Sequence, residues 1–171
     1  YILYTPEAIR RTTSLIRNVC PDIVFTASPS DYMIDHETTS RIVQTACFSC
    51  GIKNLEIEEK PFEPVPYLYY CDPMEAKDIF GKTIRPDFYI DISSEIGVKE
   101  KMLACHESQR NWLLVHHQID EYIFSMKRLA EKRGQEIELE YAEALRQHLG
   151  HGFPQDNILK KILGDIVVVN N

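Results

Sequence analysis

The sequence predicts an α/β fold, and three observations predict it. Helical patterns over residues 6–20 and 36–50 flank a short apolar run and a polar loop. Apolar runs of strand length recur at residues 66–70 and 88–92. Helical patterns then dominate the rest of the chain. A helix, strand, loop and helix in this order form half of a doubly wound unit, in which helices cover a sheet.

The first helix has a clear start and stop. Thr5 can cap its amino-terminal end, Pro6 suits the first helical position, and Glu7 is an acid in the first turn. Pro21 ends the helix, and residues 22–26 predict a buried strand. The apolar stripe that we expect to face the core consists of Ile9, Leu15, Ile16 and Val19.

The second helix is predicted over residues 36–50, and Gly51 follows as its carboxyl-terminal stop. Residues 56–66 are acidic and rich in proline, which indicates a surface connection. The polar residues 72–84 predict a loop between the next two strands. The inner face of the helix is expected to contain Ile42, Val43, Ala46, Cys47 and Cys50.

The carboxyl-terminal portion is predicted to be helical. A long amphipathic pattern continues to about Arg133, where Gly134 breaks it. Residues 141–149 predict a further helix, and residues 156–163 predict a short one. The apolar residues 167–169 fit either a last strand or a tail.

Composition limits the class of protein. The chain of 171 residues is long enough for one domain, 1–171, with a real core. Its net charge of -7 disfavours nucleic acid and anionic membrane as partners. No apolar run has the roughly 18 residues that a membrane span needs. The first four residues, Tyr-Ile-Leu-Tyr, resemble the interior of a protein, so we expect polypeptide upstream of Tyr1.

The five cysteines favour a reducing compartment, and we expect a cytoplasmic protein. Their number is odd and their spacing irregular, which argues against a disulfide framework. Cys47 and Cys50 form a C-x-x-C pair late in a predicted helix, where nothing lowers a thiol pKa. We interpret them as small buried residues, with redox or zinc chemistry as the alternative.

His36 is the best candidate for a metal ligand. It follows Asp35 at the start of a predicted helix, and a neutral imidazole fixed by a carboxylate suits Zn²⁺ or Fe²⁺. The alternative is that Asp35 caps the helix and His36 is an ordinary first-turn residue. A catalytic zinc usually takes three protein ligands, and this motif supplies one.

The other histidines favour simpler interpretations. The polar residues 106–109, which begin with His106, form either a pocket wall or a solvated turn. His116 and His117 are adjacent on a helix and point about 100° apart, so they do not share one metal easily. A Cys105–His106 nucleophile pair is disfavoured for the same reason. His148 and His151 fit a helix C-cap at least as well as a ligand site.

Three segments, in the correct order, resemble motifs of the PIG-L/LmbE family of zinc-dependent de-N-acetylases. Residues 21–36 resemble the family's strand and its D-x-H-P-D-H loop. Residues 89–109 resemble its V-D-I…K…H-x-S-Q run, and residues 141–145 resemble Y-A-E-x-F. The resemblance extends from about Thr5 to Leu163.

The resemblance implies a Rossmann-like three-layer α/β sandwich, incomplete at its amino terminus, with a helical carboxyl-terminal portion. It implies hydrolysis of the acetamide of an N-acetyl amino-sugar conjugate with Zn²⁺, or Fe²⁺ in vivo, and a homo-oligomer. By this match His36 is the third metal ligand and Asp35 its acidic neighbour, which orients groups in the site. The match also makes Asp31, Tyr32 and Gln109 candidates for substrate binding.

Two departures from the family pattern matter. The A-H-P-D-D motif, which supplies two ligands and the general base, is absent from these 171 residues, so an upstream segment would have to supply it. Met33 and Ile34 replace the loop's usual His and Pro, and His106 is a candidate catalytic substitute for that His. The alternative is a non-catalytic relative that binds a sugar conjugate or assembles with a partner.

Overall fold

The computed structural model describes residues 1–117 and 121–170, apart from the side chains of Gln109, Leu113, His116 and His117. The chain is mixed α/β and divides into two compact units. The first unit comprises Tyr1–Asp87 and Leu145–Ile162, and the second comprises Phe88–Ala144 and Leu163–Asn171. The single domain over 1–171 stays a prediction.

The predicted order of helices and strands is confirmed apart from one segment. In chain order the elements are α1 (Pro6–Val19), β1 (Ile23–Thr26), α2 (Ile34–Ser49), β2 (Tyr67–Cys71), β3 (Phe88–Asp91), α3 (Ile96–Ala104), α4 (Glu107–His117), α5 (Glu121–Gln135), β4 (Ala142–Gln147), α6 (Ile158–Leu163) and β5 (Val167–Val169).

In the first unit, three strand segments and two helices enclose one apolar cluster. β1 runs parallel to β2, with Ile23 opposite Tyr67. The end of β4 runs antiparallel to β2, with Tyr69 opposite Gln147. The inner face predicted for α2 is confirmed, since Ile42, Ala46, Cys47 and Cys50 are buried and Val43 is partly buried against the same cluster. The buried cluster consists of Ile16, Ala46, Cys47, Cys50, Leu68, Tyr70 and Phe153.

The inner face of α1 differs from the prediction. The Thr5 hydroxyl accepts a hydrogen bond from the Ala8 amide at 3.2 Å, as the capping pattern predicts. Leu15 and Val19, however, are more than half exposed. Arg17 is buried instead, and its guanidinium donates to the carbonyl oxygens of Cys50, Ile52 and Glu59 at 2.9, 2.6 and 2.9 Å. These three bonds compensate the burial of a charge, which apolar periodicity does not anticipate.

The helix predicted over residues 141–149 is wrong, because residues 142–147 form β4. Alanine, glutamate, leucine, arginine and glutamine are strong helix formers, so local propensity favoured a helix. The strand is stabilised instead by its ladder with β2 and by the burial of Ala142, Ala144 and Leu145. Tertiary packing overrides propensity in such segments.

The second unit contains an antiparallel pair and three helices. β3 pairs with β5, with Phe88 opposite Val169, so residues 167–169 form a strand. Tyr89, Ala142 and Ala144 make a small buried cluster. The predicted long helix corresponds to α4 and α5, and residues 118–120 lie outside the described residues.

Gly134 lies in the last turn of α5, so the prediction that it breaks the helix is wrong by one residue. A β-carbon on Gly134 would lie 2.7 Å from the carbonyl oxygens of Leu139 and Glu140. Glycine is therefore required at this position by the close approach of the following chain.

Residues 72–84 are mostly irregular, as predicted, apart from a short 3-10 turn at Met74–Ala76 and an isolated bridge between Lys77 and Thr83. Among the described helices, none combines the length and the apolar character that crossing a membrane requires.

Candidate functional site

The loop between β1 and α2 is held by one buried serine. The Ser28 hydroxyl donates to the Ser30 carbonyl oxygen at 2.6 Å and accepts from the Ser30 amide at 3.2 Å. Arg146, on β4, donates to the same hydroxyl at 2.8 Å. The loop is therefore fixed both by its own backbone and by a residue that follows 118 positions later.

Asp31 and His36 form the centre of the candidate site. An Asp31 carboxylate oxygen, Oδ2, lies 3.0 Å from His36 Nδ1, and the Asp31 side chain is only 3% exposed, whereas His36 is 46% exposed. The other carboxylate oxygen accepts from the Met33 amide at 2.9 Å. When Nδ1 carries the proton shared with Asp31, the free lone pair of neutral His36 is on Nε2. This carboxylate–histidine arrangement orients imidazoles that bind metals.

Asp35 does not contact His36 in this way. The N-cap of α2 is Met33, without a capping side chain, so the alternative in which Asp35 caps the helix is wrong. One carboxylate oxygen of Asp35 accepts from the Ile2 amide at 3.4 Å. The carboxylate that contacts His36 is that of Asp31, and the role that the resemblance implies for Asp35, orienting groups in the site, stays a prediction.

Tyr32 connects this pair to a cavity. Its ring lies edge-on to the His36 ring, with the centroids 6.1 Å apart. The phenol is largely exposed and lines a cavity of about 600 Å³ in the first unit. The other lining residues are Met74, Glu75, Lys77, Asp78, Ile79 and Gly81.

His106 lies in the second unit, between α3 and α4, and lines a separate cavity of about 440 Å³. The wall of that cavity includes Lys99 and Glu143, which form an ion pair at 2.6 Å. The side chain of the candidate Gln109 lies outside the described residues. The catalytic role of His106 and the binding role of Gln109 stay predictions.

The described residues do not fit a complete zinc site. No group of three His, Cys, Asp or Glu side chains among them is arranged to hold a metal ion. His36, oriented by Asp31, fits one ligand position of the three that a catalytic zinc needs. The C-x-x-C pair does not supply the others, since both side chains are fully buried in the apolar cluster of the first unit. That burial also raises the pKa of the Cys47 thiol to about 12 and raises the pKa of Cys50.

His148 is partly buried, follows β4 rather than a helix, and packs against two core residues. Its Nδ1 lies 2.8 Å from the Tyr70 hydroxyl, and its ring packs edge-on against Phe153 with the centroids 4.2 Å apart. Burial lowers the pKa of His148 and raises that of Tyr70 to about 12. Both groups are therefore neutral near pH 7.

Sequence reasoning missed Ser28 and Arg146. A buried serine before a Pro-Ser pair resembles any turn residue, and Arg146 was assigned to the wrong kind of element. The pairing of β4 with β2 brings Arg146 to the loop, so only the sheet register reveals their contact.

Solved structures with the same fold include three proteins of different description. The chain is 22% identical to the conserved protein TT1542 from Thermus thermophilus, with a TM-score of 0.70 over 89% of this chain and 62% of that one. It is 23% identical to GalB, the 4-carboxy-2-hydroxymuconate hydratase from Pseudomonas putida, with a TM-score of 0.66 over 90% and 61% of the two chains.

The third is the N,N'-diacetylchitobiose deacetylase from Pyrococcus horikoshii, at 20% identity and a TM-score of 0.67, over 91% of this chain and 57% of that one. No protein-family model matches the chain. Identities this low show a shared fold. The chain spans about three fifths of the length of these structures.

Proposed function

We propose that this chain is the larger part of a metal-dependent hydrolase that removes the acetyl group from an N-acetyl amino-sugar conjugate. The observation that carries the proposal is the half-exposed His36 with its Nδ1 held by the buried carboxylate of Asp31. A fold shared with a deacetylase supports it. The complete fold in this proposal is a Rossmann-like three-layer sandwich.

In this proposal the metal is Zn²⁺, or Fe²⁺ in vivo, and His36 is one ligand. The Asp31 carboxylate positions His36. Following the resemblance, Asp31, Tyr32 and Gln109 contact the substrate, and Asp35 and His106 act in catalysis. The remaining ligands come from polypeptide outside these 171 residues. A bound zinc would polarise the acetamide carbonyl and activate a water molecule. A single histidine side chain does not supply this chemistry by itself.

Three features of the first unit support additional covering polypeptide. Among the described residues, β1 pairs with β2 and with no other strand, which leaves one edge open. Phe25 on that strand is half exposed. The Thr26 hydroxyl at its carboxyl end is buried and has no hydrogen-bond partner within the described part of the chain. Buried hydroxyl groups are almost always paired in complete structures.

We also propose that the protein is cytoplasmic and forms a homo-oligomer, and that neither nucleic acid nor a membrane is a partner. Large apolar side chains on α4, Trp112 and Val115, are exposed and support self-association.

The test uses the complete protein that contains this chain. We expect His36→Ala to lower both bound metal and the deacetylation of an N-acetylglucosamine conjugate by at least about a hundredfold, because a ligand is lost. Metal content by mass spectrometry and acetate release are the measurements. His151→Ala is the matched control, since His151 is an exposed histidine of the same unit. Full metal occupancy with normal turnover in His36→Ala would contradict the proposal.

A second candidate is a non-catalytic sugar-conjugate-binding or assembly module. The observation that favours it is Met33, a partly exposed thioether at the position where the family loop has its His. Binding of the conjugate by the complete protein without acetate release, at any metal load, would favour this candidate.

A further inference from the structure

The cavity beside Tyr32 has an apolar wall. Tyr32, Met74 and Ile79 all line it, and each exposes more than half of its side chain. Its volume of about 600 Å³ lies in the range of cavities that hold small organic ligands. The Tyr32 ring, which lines this cavity, also lies edge-on to the His36 ring with the centroids 6.1 Å apart, so the cavity begins next to His36.

The wall is rigidly built. One carboxylate oxygen of Asp78 accepts hydrogen bonds from the amides of Phe80 and Lys82, both at 2.9 Å. Gly81 closes the turn at a φ of 76°, a conformation that favours glycine. The amide of Ile79 donates to the Ser30 hydroxyl at 3.3 Å, which ties the wall to the loop that carries Asp31. A wall whose backbone is already fixed lowers the ordering cost of binding a ligand.

The charges of the wall disfavour an anionic ligand. The Lys77 ammonium already pairs with the Glu75 carboxylate at 2.9 Å. The Asp78 carboxylate adds a second negative charge, so the three ionised lining residues sum to one net negative charge. A phosphate or carboxylate would meet two acids and a cation that already has a partner, and like charges repel.

We propose that this cavity binds the aglycone of the substrate, and that this aglycone is an uncharged group with an apolar face, such as an aryl or alkyl group. The placement of the sugar at His36 rests on the proposed function. The aromatic ring of Tyr32 and the side chains of Met74 and Ile79 provide the contact surface. Aromatic and sulfur–aromatic contacts of this kind favour a flat apolar group.

The experiment compares three glycosides of N-acetyl-β-D-glucosamine that differ only in the aglycone: methyl, phenyl and 4-carboxyphenyl. With the complete protein, we expect the phenyl glycoside to bind about tenfold more tightly than the methyl glycoside. We expect the 4-carboxyphenyl glycoside to lose most of that gain. Titration calorimetry gives the Kd values, and acetate release gives kcat/KM for the same three compounds.

Two variants and one control test the wall itself. The double variant Met74→Ala/Ile79→Ala should remove the preference for phenyl over methyl. Glu75→Gln should recover binding of the 4-carboxyphenyl glycoside, because it removes one negative charge and releases Lys77. Phe80→Ala is the control, since Phe80 is exposed in the same segment and does not line the cavity; it should leave the phenyl preference unchanged.

The two proposals fail in different ways. Equal Kd and kcat/KM for all three glycosides, with acetate released, would overturn the aglycone site and leave the hydrolase proposal intact. A phenyl preference that survives Met74→Ala/Ile79→Ala would also overturn it. The expected order of Kd values without acetate release would support the site and contradict the hydrolase.

Discussion

His36 and His148 belong to the same unit of the chain, and different kinds of partner hold them. His36 sits at the start of α2, half exposed, against the buried carboxylate of Asp31. His148 follows β4, against the Tyr70 hydroxyl and the ring of Phe153. A carboxylate orients the exposed imidazole of His36, whereas partial burial lowers the pKa of the His148 imidazole and keeps it neutral near pH 7. The first arrangement suits ligand binding, and the second suits packing.

Loss of the Phe153 ring should have the largest effect on stability. Phe153 is buried and contacts both His148 and Phe48. We expect Phe153→Ala to lower the free energy of unfolding by about 3–5 kcal/mol, the usual cost of an emptied aromatic site in a core. Urea denaturation measures it. Phe80→Ala, an exposed control, should change stability by less than about 0.5 kcal/mol. Equal changes in the free energy of unfolding for the two variants would contradict the stabilising role of Phe153 in the core.

Removal of the charge on Asp31 should weaken metal binding with little loss of stability. Asp31→Asn retains an oxygen that can accept from the Met33 amide but loses the carboxylate beside His36 Nδ1. In the complete protein we expect a 10- to 100-fold lower metal affinity, about 1.4–2.8 kcal/mol. Metal titration measures it, with Asp165→Asn, an exposed aspartate, as the control. Unchanged affinity would contradict the positioning role of Asp31.

The smallest effect should be a pH dependence of stability due to His148. Burial lowers its pKa in the folded state below the ordinary value of 6.5. The unfolded chain therefore binds a proton first as the pH falls, so the stabilising contribution is complete above pH 6.5 and is lost below it. Urea midpoints at about pH 7.5 and about pH 5.5 measure the slope. His148→Asn should flatten that slope, and an unchanged slope would assign it to other groups.

Local sequence signals predicted the parts of the fold that depend on local physics. The capping pattern predicted Thr5 as the N-cap of α1, and apolar periodicity predicted the inner face of α2. The breakers Pro21 and Pro66 predicted where β1 and β2 begin. β4 was mistaken for a helix because its residue types favour helices and its strand state depends on pairing with β2.

The candidate site was predictable only in part, for a related reason. His36 stood out because of its position at a helix start and its resemblance to a family motif. Its actual partner is Asp31, five residues earlier, whose other carboxylate oxygen accepts from the Met33 amide at the start of α2. Arg146 fixes that loop from a distant strand, and no local pattern reports a contact between residues 118 positions apart.

The five cysteines provide a chemical probe of how the core opens. Cys20, Cys71 and Cys105 are exposed, whereas Cys47 and Cys50 are fully buried. In alkylation the thiolate is the nucleophile that attacks the reagent, and burial raises the pKa of Cys47 to about 12, so its thiolate is scarce in the native chain. Three alkylations should therefore be fast, and the last two should follow only at the rate at which α2 separates from its sheet. The rate at which Cys47 and Cys50 are alkylated, followed by mass spectrometry, therefore reports the rate of local unfolding without any substitution.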